Sequence, residues 1–520
     1  MTNNSNILTI GSNTHGQLGT GNNSTRSKEF VPVTFKSTKT KNSVSSLIQH
    51  DIFANKAACG AYHTIILTEK NEIYSWGTNA NGSLGRTGDE TVPGLVKLPV
   101  VPLNLNFVKK KGLLNITEEQ NDYIIRIKCT EYASFALTEG GLLFGWGVFN
   151  DNTDQIGFFE RKIVDEPDLK KKGSKNPSDV LANLKKGVLT PIDRPAKKPI
   201  LIAKNVQRFS TGKNHVIYKT LEGIFSFGVN LHGERGYQPV KRKSQLEQLT
   251  PLLLVNKRSH LFKYDYLRCG SYTTFFVCGQ EITAFGRNAN GQLGMGDFNS
   301  GSMRRKIYIT VETDKMVIEK EKNDSKNRVE MVEKIFHTEH NRELQKPKNQ
   351  KQNVLLEKTN TNNFNEKVQE QKKDVKNFNL PDLSNEEIDL KVSDCHIRSL
   401  KSVTHETVVK IACGESHTIL LTKLGNVYGI GSNTLQQLGT KLERKRIREP
   451  VLLANNIIDI KAKGFRSFFL SSDGLWHISG LNQNKIPNKA INELLLNQKD
   501  TEITDLQIGH DFIVILHKNH

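Results

Sequence analysis

Residues 59–85 read CGAYHTIILTEKNEIYSWGTNANGSLG, and this stretch decides the fold. Two short apolar segments, residues 59–68 and 72–77, are separated by a charged turn and followed by a glycine-rich loop, which is the pattern of paired strands. The unit recurs along the chain, and such self-similarity predicts an array of like sheets. The glycine that ends its central strand falls at Gly11, Gly77, Gly147, Gly228, Gly286, Gly431 and Gly480.

The first and last units are incomplete in complementary ways. Residues 7–11 are the central strand of a unit without a first strand, and residues 508–516 are a first strand without a second half. Pairing these two segments closes a ring and leaves no open sheet edge. A linear solenoid would need capping repeats with polar outer faces, which neither end resembles. The sequence therefore predicts an all-β, seven-bladed β-propeller closed by pairing of its N- and C-terminal strands.

Composition divides the chain into three segments. Residues 1–298 and 401–520 carry the repeats, whereas residues 299–400 are rich in Lys, Glu, Asn and Gln, poor in aromatics and without the glycine pattern. Such a segment buries too little apolar surface to fold alone. We expect a disordered or partly helical insertion between the fifth and sixth blades. Its apolar clusters at 354–356 and 380–383 are either docking motifs or parts of a solvated linker.

The charge balance favours an acidic partner. Lys plus Arg number 73 and Asp plus Glu number 54, which gives a net charge of +19. That excess suits nucleic acid, an acidic protein face or an anionic membrane. No apolar run approaches the roughly 20 residues that span a bilayer, and no targeting pattern is visible at the N-terminus, so we expect an intracellular protein that does not use a membrane. Four cysteines begin the same element in different repeats, too far apart to pair, and are expected to be buried free thiols: Cys59, Cys129, Cys269 and Cys413.

The repeated Gly-x-x-His-Thr element contains the candidate chemical groups His63, His215 and His417. Such histidines, absent from half the blades, cannot gather into a metal site, so we interpret them as hydrogen-bonded ties between blades. Neither a P-loop context nor a nucleophile with its base stands out. We therefore expect a binding protein without covalent chemistry, catalytic residue, metal or cofactor. The residues aligned with these histidines in the other repeats are Ala133, Thr273, Ser467 and Phe512.

One loop departs from its siblings. After Gly147 the glycine-rich turn is replaced by residues 149–157, FNDNTDQIG, with Phe158 and Phe159 behind them. A loop that differs from the same loop in sibling repeats usually does so because it meets a partner, and drift in a surface loop is the alternative.

A basic cluster follows the glycine-rich turn of the sixth blade. It predicts a nuclear-import or nucleic-acid contact, and a solvated loop is the alternative of equal standing. The cluster comprises Arg444, Lys445, Arg446 and Arg448.

The repeat, Gly-x-x-His-Thr followed by aromatic-Gly and Asn-x-x-Gly-Gln-Leu-Gly, resembles the regulator of chromosome condensation family, whose fold is a seven-bladed propeller. The resemblance covers the whole ring. The loop after Gly147 looks like the β-wedge of the branch that exchanges guanine nucleotides on the Ran GTPase, and residues 246–251 and 262–272 are also similar to that branch. The resemblance implies an exchange factor for a Ran-type small GTPase. One face would hold the GTPase while the wedge loosens its phosphate-binding region, and binding the nucleotide-free state more tightly drives release.

The resemblance also implies the site residues. The blade-start positions are Glu131, where the family has Asp, Asn214, which replaces an Asp, and Ser416, which replaces a His. It further implies a monomer in the nucleus, with the cytoplasm as a second compartment, that acts in nucleocytoplasmic transport and the cell cycle. Histones, DNA and import receptors would bind through basic loops. The altered positions 214 and 416 favour the alternative, a non-catalytic scaffold for chromatin or cytoskeletal proteins. The wedge residues are Asn150, Asp151, Asn152, Thr153, Asp154, Gln155 and Ile156.

Overall fold

The fold is all-β in the part of the chain that the structure describes. Seven antiparallel sheets follow one another as blades, and the first strand of each blade packs against the first strand of its neighbours. The only helical element among the described residues is a short 3₁₀ turn, His260–Lys263. No helix in these ranges is long and apolar enough to cross a membrane. The computed structural model describes residues 6–35, 52–103, 122–150, 155–156, 159–161, 189–191, 196–237, 251–279, 281–307, 310–312, 403–439, 444–480 and 501–519.

The predicted seven-bladed propeller is confirmed. Blade 1 consists of Thr501–Ile508, Phe512–Asn519, Ile7–Ser12 and Arg26–Pro32. Blade 2 consists of Ala54–Cys59, His63–Thr68, Ile73–Gly77 and Gly94–Val96. Blade 3 consists of Ile124–Cys129, Ala133–Thr138, Leu143–Gly147 and Ala196–Ala203. Blade 4 consists of Arg208–Thr211, His215–Lys219, Gly223–Gly228 and Leu252–Asn256.

The remaining blades follow the same order. Blade 5 consists of Tyr266–Cys269, Thr273–Cys278, Glu281–Gly286 and Gly301–Ile307. Blade 6 consists of Val408–Cys413, His417–Thr422, Val427–Ser432 and Arg446–Ala454. Blade 7 has three strands among the described residues: Ile457–Lys463, Arg466–Ser471 and Trp476–Gly480. Three two-stranded ribbons are Phe149–Asn150 with Gln155–Ile156, Phe159–Arg161 with Leu189–Pro191, and Thr310–Glu312 with Val403–His405.

The two chain ends close the ring as predicted. Strand Ile7–Ser12 pairs with strand Phe512–Asn519, so that Ile7 faces Leu516 and Gly11 faces Phe512. Most of the paired residues are apolar and buried, with Ile7, Phe512 and Leu516 each 0% exposed. Burial of the joined strands therefore stabilises the closure in addition to its backbone hydrogen bonds.

Backbone crowding explains why the third strand ends in glycine. Gly77 has a φ of +103° and lies opposite His63, and a Cβ there would be 2.3 Å from the carbonyl oxygen of Tyr62. The other six repeats show the same approach, at 2.0 to 2.5 Å from a backbone carbonyl oxygen. Only glycine fits this position, which is why the seven glycines count the blades.

The last position of the Gly-Gln-Leu-Gly turn requires glycine for a different reason. The indole Nε1 of Trp76 donates to the carbonyl of Gln17 in the preceding blade at 3.0 Å. A Cβ on Gly19 would lie 2.8 Å from that indole nitrogen. Trp146 repeats the arrangement with Ser83 at 2.8 Å, so the turn of one blade is shaped to receive the tryptophan of the next.

The insertion begins later than composition indicated. Strand Gly301–Ile307 pairs with the third strand of blade 5, so this strand of the propeller lies within the segment 299–400. Its sequence, GSMRRKI, has no apolar alternation, because an outermost strand needs only backbone pairing on one side. The clusters at 354–356 and 380–383 lie outside the described residues.

The expectation about the cysteines is confirmed. Cys59, Cys129, Cys269 and Cys413 are free and buried at the ends of the first strands. Burial raises the pKa of each thiol, to about 12 for Cys129 and Cys269 and about 11 for Cys413. The thiols are therefore protonated at neutral pH and act as small apolar side chains.

Candidate functional site

The loops between the first and second strands of the blades surround one mouth of the central channel. The loop that follows each third strand emerges beside them, because the end of the third strand pairs with the start of the second, as Gly147 does with Ala133. We call this end of the propeller the loop face. Its seven loops are residues 60–62, 130–132, 212–214, 270–272, 414–416, 464–465 and 509–511.

Hydrogen bonds join these loops into a ring. Five of the junctions use backbone N–H groups and two use side chains, so each loop is fixed to the next and the face is held rigidly. The donors and acceptors are His510 N to Ala61 O (3.1 Å), Ala61 N to Glu131 O (2.9 Å), Glu131 N to Lys213 O (3.1 Å), Lys213 N to Ser271 O (3.1 Å), Ser271 Oγ to Gly414 O (3.0 Å), Glu415 N to Gly464 O (2.6 Å) and Arg466 Nη2 to His510 O.

The histidines tie blades together, as predicted. His63 Nε2 lies 2.9 Å from Ser134 Oγ, His215 Nε2 lies 3.0 Å from Thr274 Oγ1, and His417 Nε2 lies 2.9 Å from Ser467 Oγ. Burial lowers their pKa values to about 3, about 3 and about 4, so they are neutral at pH 7. The glycine of Gly-x-x-His makes room for the ring, since a Cβ on Gly60 would lie 2.0 Å from His63 Cε1.

The strand register corrects one alignment. Arg466 pairs with Gly480 as His63 pairs with Gly77, so Arg466 occupies the histidine position of blade 7. Ser467, which the sequence alignment had placed there, is instead the bridging partner of His417. The alignment was wrong because Gly464 is not the motif glycine; Lys463, paired with Arg466, stands in its place.

Glu131 lies at the channel mouth and belongs to an ion triad. Lys213 Nζ is 3.5 Å from Glu131 Oε1 and 3.1 Å from Glu415 Oε1, with all three side chains about one fifth exposed. Burial raises the pKa of Glu131, opposed by Lys213. Burial opposes the charge on Lys213, but Glu415 and Glu131 outweigh it and raise the pKa of that ammonium.

Asn214 and Ser416 occupy the next position of their loops. Asn214 is 4% exposed, and its backbone carbonyl oxygen accepts a hydrogen bond from Val229 N at 2.7 Å. The carbonyl of Ser416 accepts from Ser432 N at 2.8 Å. The three predicted blade-start residues therefore lie at two different loop positions. Of the three, Glu131 is the one that belongs to the ion triad.

Aromatic side chains at the loop face were missed by the sequence reasoning. Tyr62, Tyr132 and Tyr272 share the position of Asn214, and burial raises the pKa of each phenol. The sequence feature that could have revealed these tyrosines is their recurrence two residues after the position of the motif glycine. Tyr62 and Tyr132 are partly exposed, whereas Tyr272 is buried. A partly exposed tyrosine suits a protein interface because it offers rigid apolar area with a polar end. Ring contacts join them to neighbours: His15–Tyr62 at 4.7 Å, Tyr62–His510 at 5.7 Å and His232–Tyr272 at 5.3 Å.

The predicted wedge is a two-stranded ribbon in its described part. Phe149 pairs with Ile156 and Asn150 pairs with Gln155, directly after the third strand of blade 3. Phe149 is fully buried, with its ring 6.2 Å from Phe135 and 5.8 Å from Phe227 of blade 4. This residue anchors the base of the ribbon in the core. The tip, Asp151, Asn152, Thr153 and Asp154, lies outside the described residues and stays a prediction.

The basic cluster is exposed on the outside of blade 6. Arg446 begins the fourth strand and pairs with Ser432, next to the loop face. Exposure is compatible with both alternatives for this cluster. Among the described residues, no group of three His, Cys, Asp or Glu side chains could hold a metal ion. The exposed members are Arg444, Lys445, Arg446 and Arg448.

Fold and site together define a repeat-built propeller whose loops form a hydrogen-bonded ring, with a two-stranded ribbon beside them on blade 3. Models of the regulator of chromosome condensation (RCC1) repeat match residues 4–67, 55–83 and 408–437. The chain thus carries regulator of chromosome condensation repeats.

Individual proteins are similar to this chain over about half of its length. The Regulator of chromosome condensation of Homo sapiens is 24% identical over 304 residues, which are 55% of this chain and 56% of that protein. The Guanine nucleotide exchange factor SRM1 of Saccharomyces cerevisiae is 23% identical over 278 residues, 50% of each chain. This chain spans about half the length of these curated relatives. The crystal structure of Prp20p from Saccharomyces cerevisiae, reported with its binding to Gsp1p and histones, matches with a TM-score of 0.59 and 16% identity over 99% of this chain and 91% of that one, which supports the fold.

Proposed function

We propose that this protein is a guanine-nucleotide exchange factor for a Ran-type small GTPase, and that its loop face binds the GTPase. The observation that carries the proposal is the ribbon that pairs Phe149–Asn150 with Gln155–Ile156 at the loop face of blade 3. A relative named as an exchange factor and a propeller reported with its binding to Gsp1p support the choice of partner class.

Exchange would need no covalent chemistry. The loop face would bind the GTPase while the ribbon enters its phosphate-binding region and displaces the contacts that hold the nucleotide. By thermodynamic linkage, a factor that lowers nucleotide affinity by a given ratio binds the nucleotide-free GTPase more tightly by the same ratio. A hydrogen-bonded ring of loops and a ribbon with a buried anchor suit this role, because a rigid surface loses little conformational entropy on binding.

The loop face offers two kinds of contact to a GTPase. Tyr62 and Tyr132 provide half-buried aromatic area, while Lys213 with its two carboxylates provides a mixed-charge centre. Apolar aromatic anchors contribute most of the affinity in protein interfaces, and charge pairs set the orientation. Tyr62→Ala is therefore expected to weaken binding of the nucleotide-free GTPase.

The deciding experiment measures release of fluorescently labelled GDP from a Ran-type GTPase with the full chain. We expect strong acceleration that is lost in Asp151→Ala/Asn152→Ala. The matched control is Glu69→Ala/Lys70→Ala, an exposed pair in a turn at the opposite end of blade 2, which should keep full activity. No acceleration by the correctly folded wild type would reject the proposal and leave the scaffold function, as would full activity in the wedge variant.

We also propose that the basic cluster contributes to nuclear and chromatin association. Replacing Arg444, Arg446 and Arg448 by Ala should weaken retention on DNA and reduce the slope of log affinity against log salt by about three. Unchanged retention would identify the cluster as a solvated loop.

A further inference from the structure

One arginine of the loop face carries a guanidinium without an anionic partner. Arg287 follows the third strand of blade 5 and is partly exposed. Its Cζ lies over the ring of Tyr272, 5.5 Å from the ring centroid. Among the described residues, the guanidinium makes neither a hydrogen bond nor an ion pair. A guanidinium held against an aromatic face keeps N–H groups available for a planar acceptor such as a carboxylate.

The loop that carries Arg287 is fixed by hydrogen bonds. Arg287 N donates to the carbonyl of Tyr272 at 2.8 Å. The next residue, Asn288, is 0% exposed, and its side chain accepts from Leu293 N at 2.9 Å and donates to the carbonyl of Asp297 at 3.0 Å. The guanidinium therefore extends from an ordered backbone, which reduces the conformational entropy lost when a partner binds it.

The ring of Tyr272 also contacts a histidine of the neighbouring blade. His232 lies in the loop after the third strand of blade 4, and its ring centroid is 5.3 Å from that of Tyr272 in an edge-on arrangement. Burial lowers the pKa of His232, and Arg287 lowers it further, so the imidazole is neutral at pH 7. Two blades thus place an arginine and a histidine against one ring, and the arginine carries the single positive charge of this pair.

The ion triad of the loop face limits the kind of anion that can bind here. Lys213 Nζ lies 5.4 Å from the centroid of the Tyr272 ring and is held by Glu131 and Glu415. With both carboxyl groups ionised, the triad carries one net negative charge. That charge disfavours a dianionic phosphate group on the same ring, whereas one carboxylate matches the single charge of Arg287.

An exposed apolar side chain adjoins the pair. Leu231 precedes His232 and is 40% exposed. Arginine and tyrosine are enriched in protein interfaces, and the leucine adds apolar area that the phosphate backbone of a nucleic acid does not use. These features favour a protein partner for this part of the loop face.

We propose that Arg287, Tyr272 and His232 form a subsite of the loop face that binds a carboxylate side chain of the protein partner, with Arg287 as the principal contact. The subsite rests on the proposed function, because the partner that presents the carboxylate is the GTPase. Arg287 would add affinity and orient the GTPase, whereas the ribbon loosens the nucleotide.

The first test separates binding from release in the nucleotide-exchange assay with the full chain. Arg287→Gln removes the charge and keeps much of the side chain. We expect the GTPase concentration at half-maximal rate to rise roughly tenfold, as for the loss of one charge-assisted pair, with the maximal rate unchanged. An unchanged half-maximal concentration would overturn the proposal.

The matched control is Arg258→Gln, which removes the same charge from an exposed arginine. Arg258 follows the fourth strand of blade 4, whose last residue, Asn256, pairs with Gly223 at the end opposite the loop face. This variant should behave as the wild type does. Equal effects of the two substitutions would also overturn the subsite, because general electrostatics would then explain both.

The second test does not depend on the GTPase. Phenylglyoxal modifies free guanidinium groups, and mass spectrometry of the full chain follows Arg287 and Arg258 separately. At constant ionic strength, we expect a hexaglutamate peptide to slow the modification of Arg287 about threefold and to leave that of Arg258 unchanged. No protection, or equal protection of both arginines, would contradict the carboxylate subsite. Stronger protection by hexadeoxythymidylate would contradict it as well, since the surface would then prefer phosphate.

Together the two tests distinguish failure of the subsite from failure of the proposed function. Nucleotide release that the wild type and Arg287→Gln accelerate equally at all GTPase concentrations rejects the subsite and keeps the exchange factor. No acceleration by the wild type rejects the exchange factor, and selective protection of Arg287 by hexaglutamate would then support the subsite for another acidic protein.

Discussion

Glu234 makes the stability of blade 4 depend on pH. It replaces the glutamine of the Gly-Gln-Leu-Gly turn and is 1% exposed. Its Oε2 accepts from His232 N at 2.7 Å, as Gln17 Oε1 accepts from His15 N at 2.7 Å in blade 1. A carboxyl group thus stands where the repeat has a neutral amide, with the same backbone bond.

The magnitude follows from the pKa. Burial raises the pKa of Glu234 from 4.5 to about 7. Below pH 4.5 the carboxyl group is protonated in both the folded and the unfolded state, so it does not lower the free energy of unfolding. Between pH 4.5 and 7 the unfolded state loses its proton first, so the free energy of unfolding falls as pH rises. One pKa unit corresponds to about 1.4 kcal/mol, so the total loss is ~3 kcal/mol and is complete above pH 7.

Glu234→Gln removes this dependence. Urea unfolding followed by tryptophan fluorescence between pH 4.5 and 8 should show equal stability of variant and wild type at the acid end. At pH 8 the variant should be more stable by ~3 kcal/mol. Glu222→Gln, at an exposed position of the same blade, is the matched control and should leave the pH profile unchanged. A difference between variant and wild type that does not vary with pH would refute the reasoning.

Three further predictions concern contacts between and within blades. Gly60→Ala places a Cβ 2.0 Å from His63 Cε1 and should cost about 1–3 kcal/mol in urea unfolding, and no loss would mean that the imidazole can move aside. Asp459→Asn leaves Lys410, 2.5 Å away, without its carboxylate and should cost about 3 kcal/mol, whereas Lys410→Met/Asp459→Leu should be near neutral in the same assay. Trp146→Phe loses the 2.8 Å bond to the carbonyl of Ser83 and should lower thermal stability by about 1–3 kcal/mol; no loss would mean that water replaces the indole.

The number of blades and the ring closure were predictable because backbone crowding requires a glycine at the same position of every repeat. A glycine with positive φ beside a carbonyl tolerates no substitute, so every repeat keeps it and counting glycines counts blades. The histidine bridges were predictable for the same reason, since Gly60 and His63 constrain each other sterically.

Residues without such constraints were harder to predict. Strand Gly301–Ile307 carries no apolar pattern, so composition assigned it to the insertion. Arg466 was missed because the glycine used to align blade 7 lies one residue beyond the motif position. Tyr62 and Tyr132 are partly exposed in loops, where the fold tolerates many residues and the sequence of one chain does not separate function from chance.

Blade 3 shows how the departing loop is built into the repeat. It lacks both members of the glycine–histidine pair, having Thr130 and Ala133, so no histidine bridges it to blade 4. Thr130 Oγ1 instead accepts from Ala133 N at 2.9 Å, and the junction with blade 4 is filled by aromatic rings, with Phe135 6.3 Å from Phe209. Phe149, the first residue of the ribbon, belongs to that same aromatic cluster. The blade that carries the ribbon has therefore replaced a polar tie by an apolar junction, and the base of the ribbon is part of what holds blades 3 and 4 together.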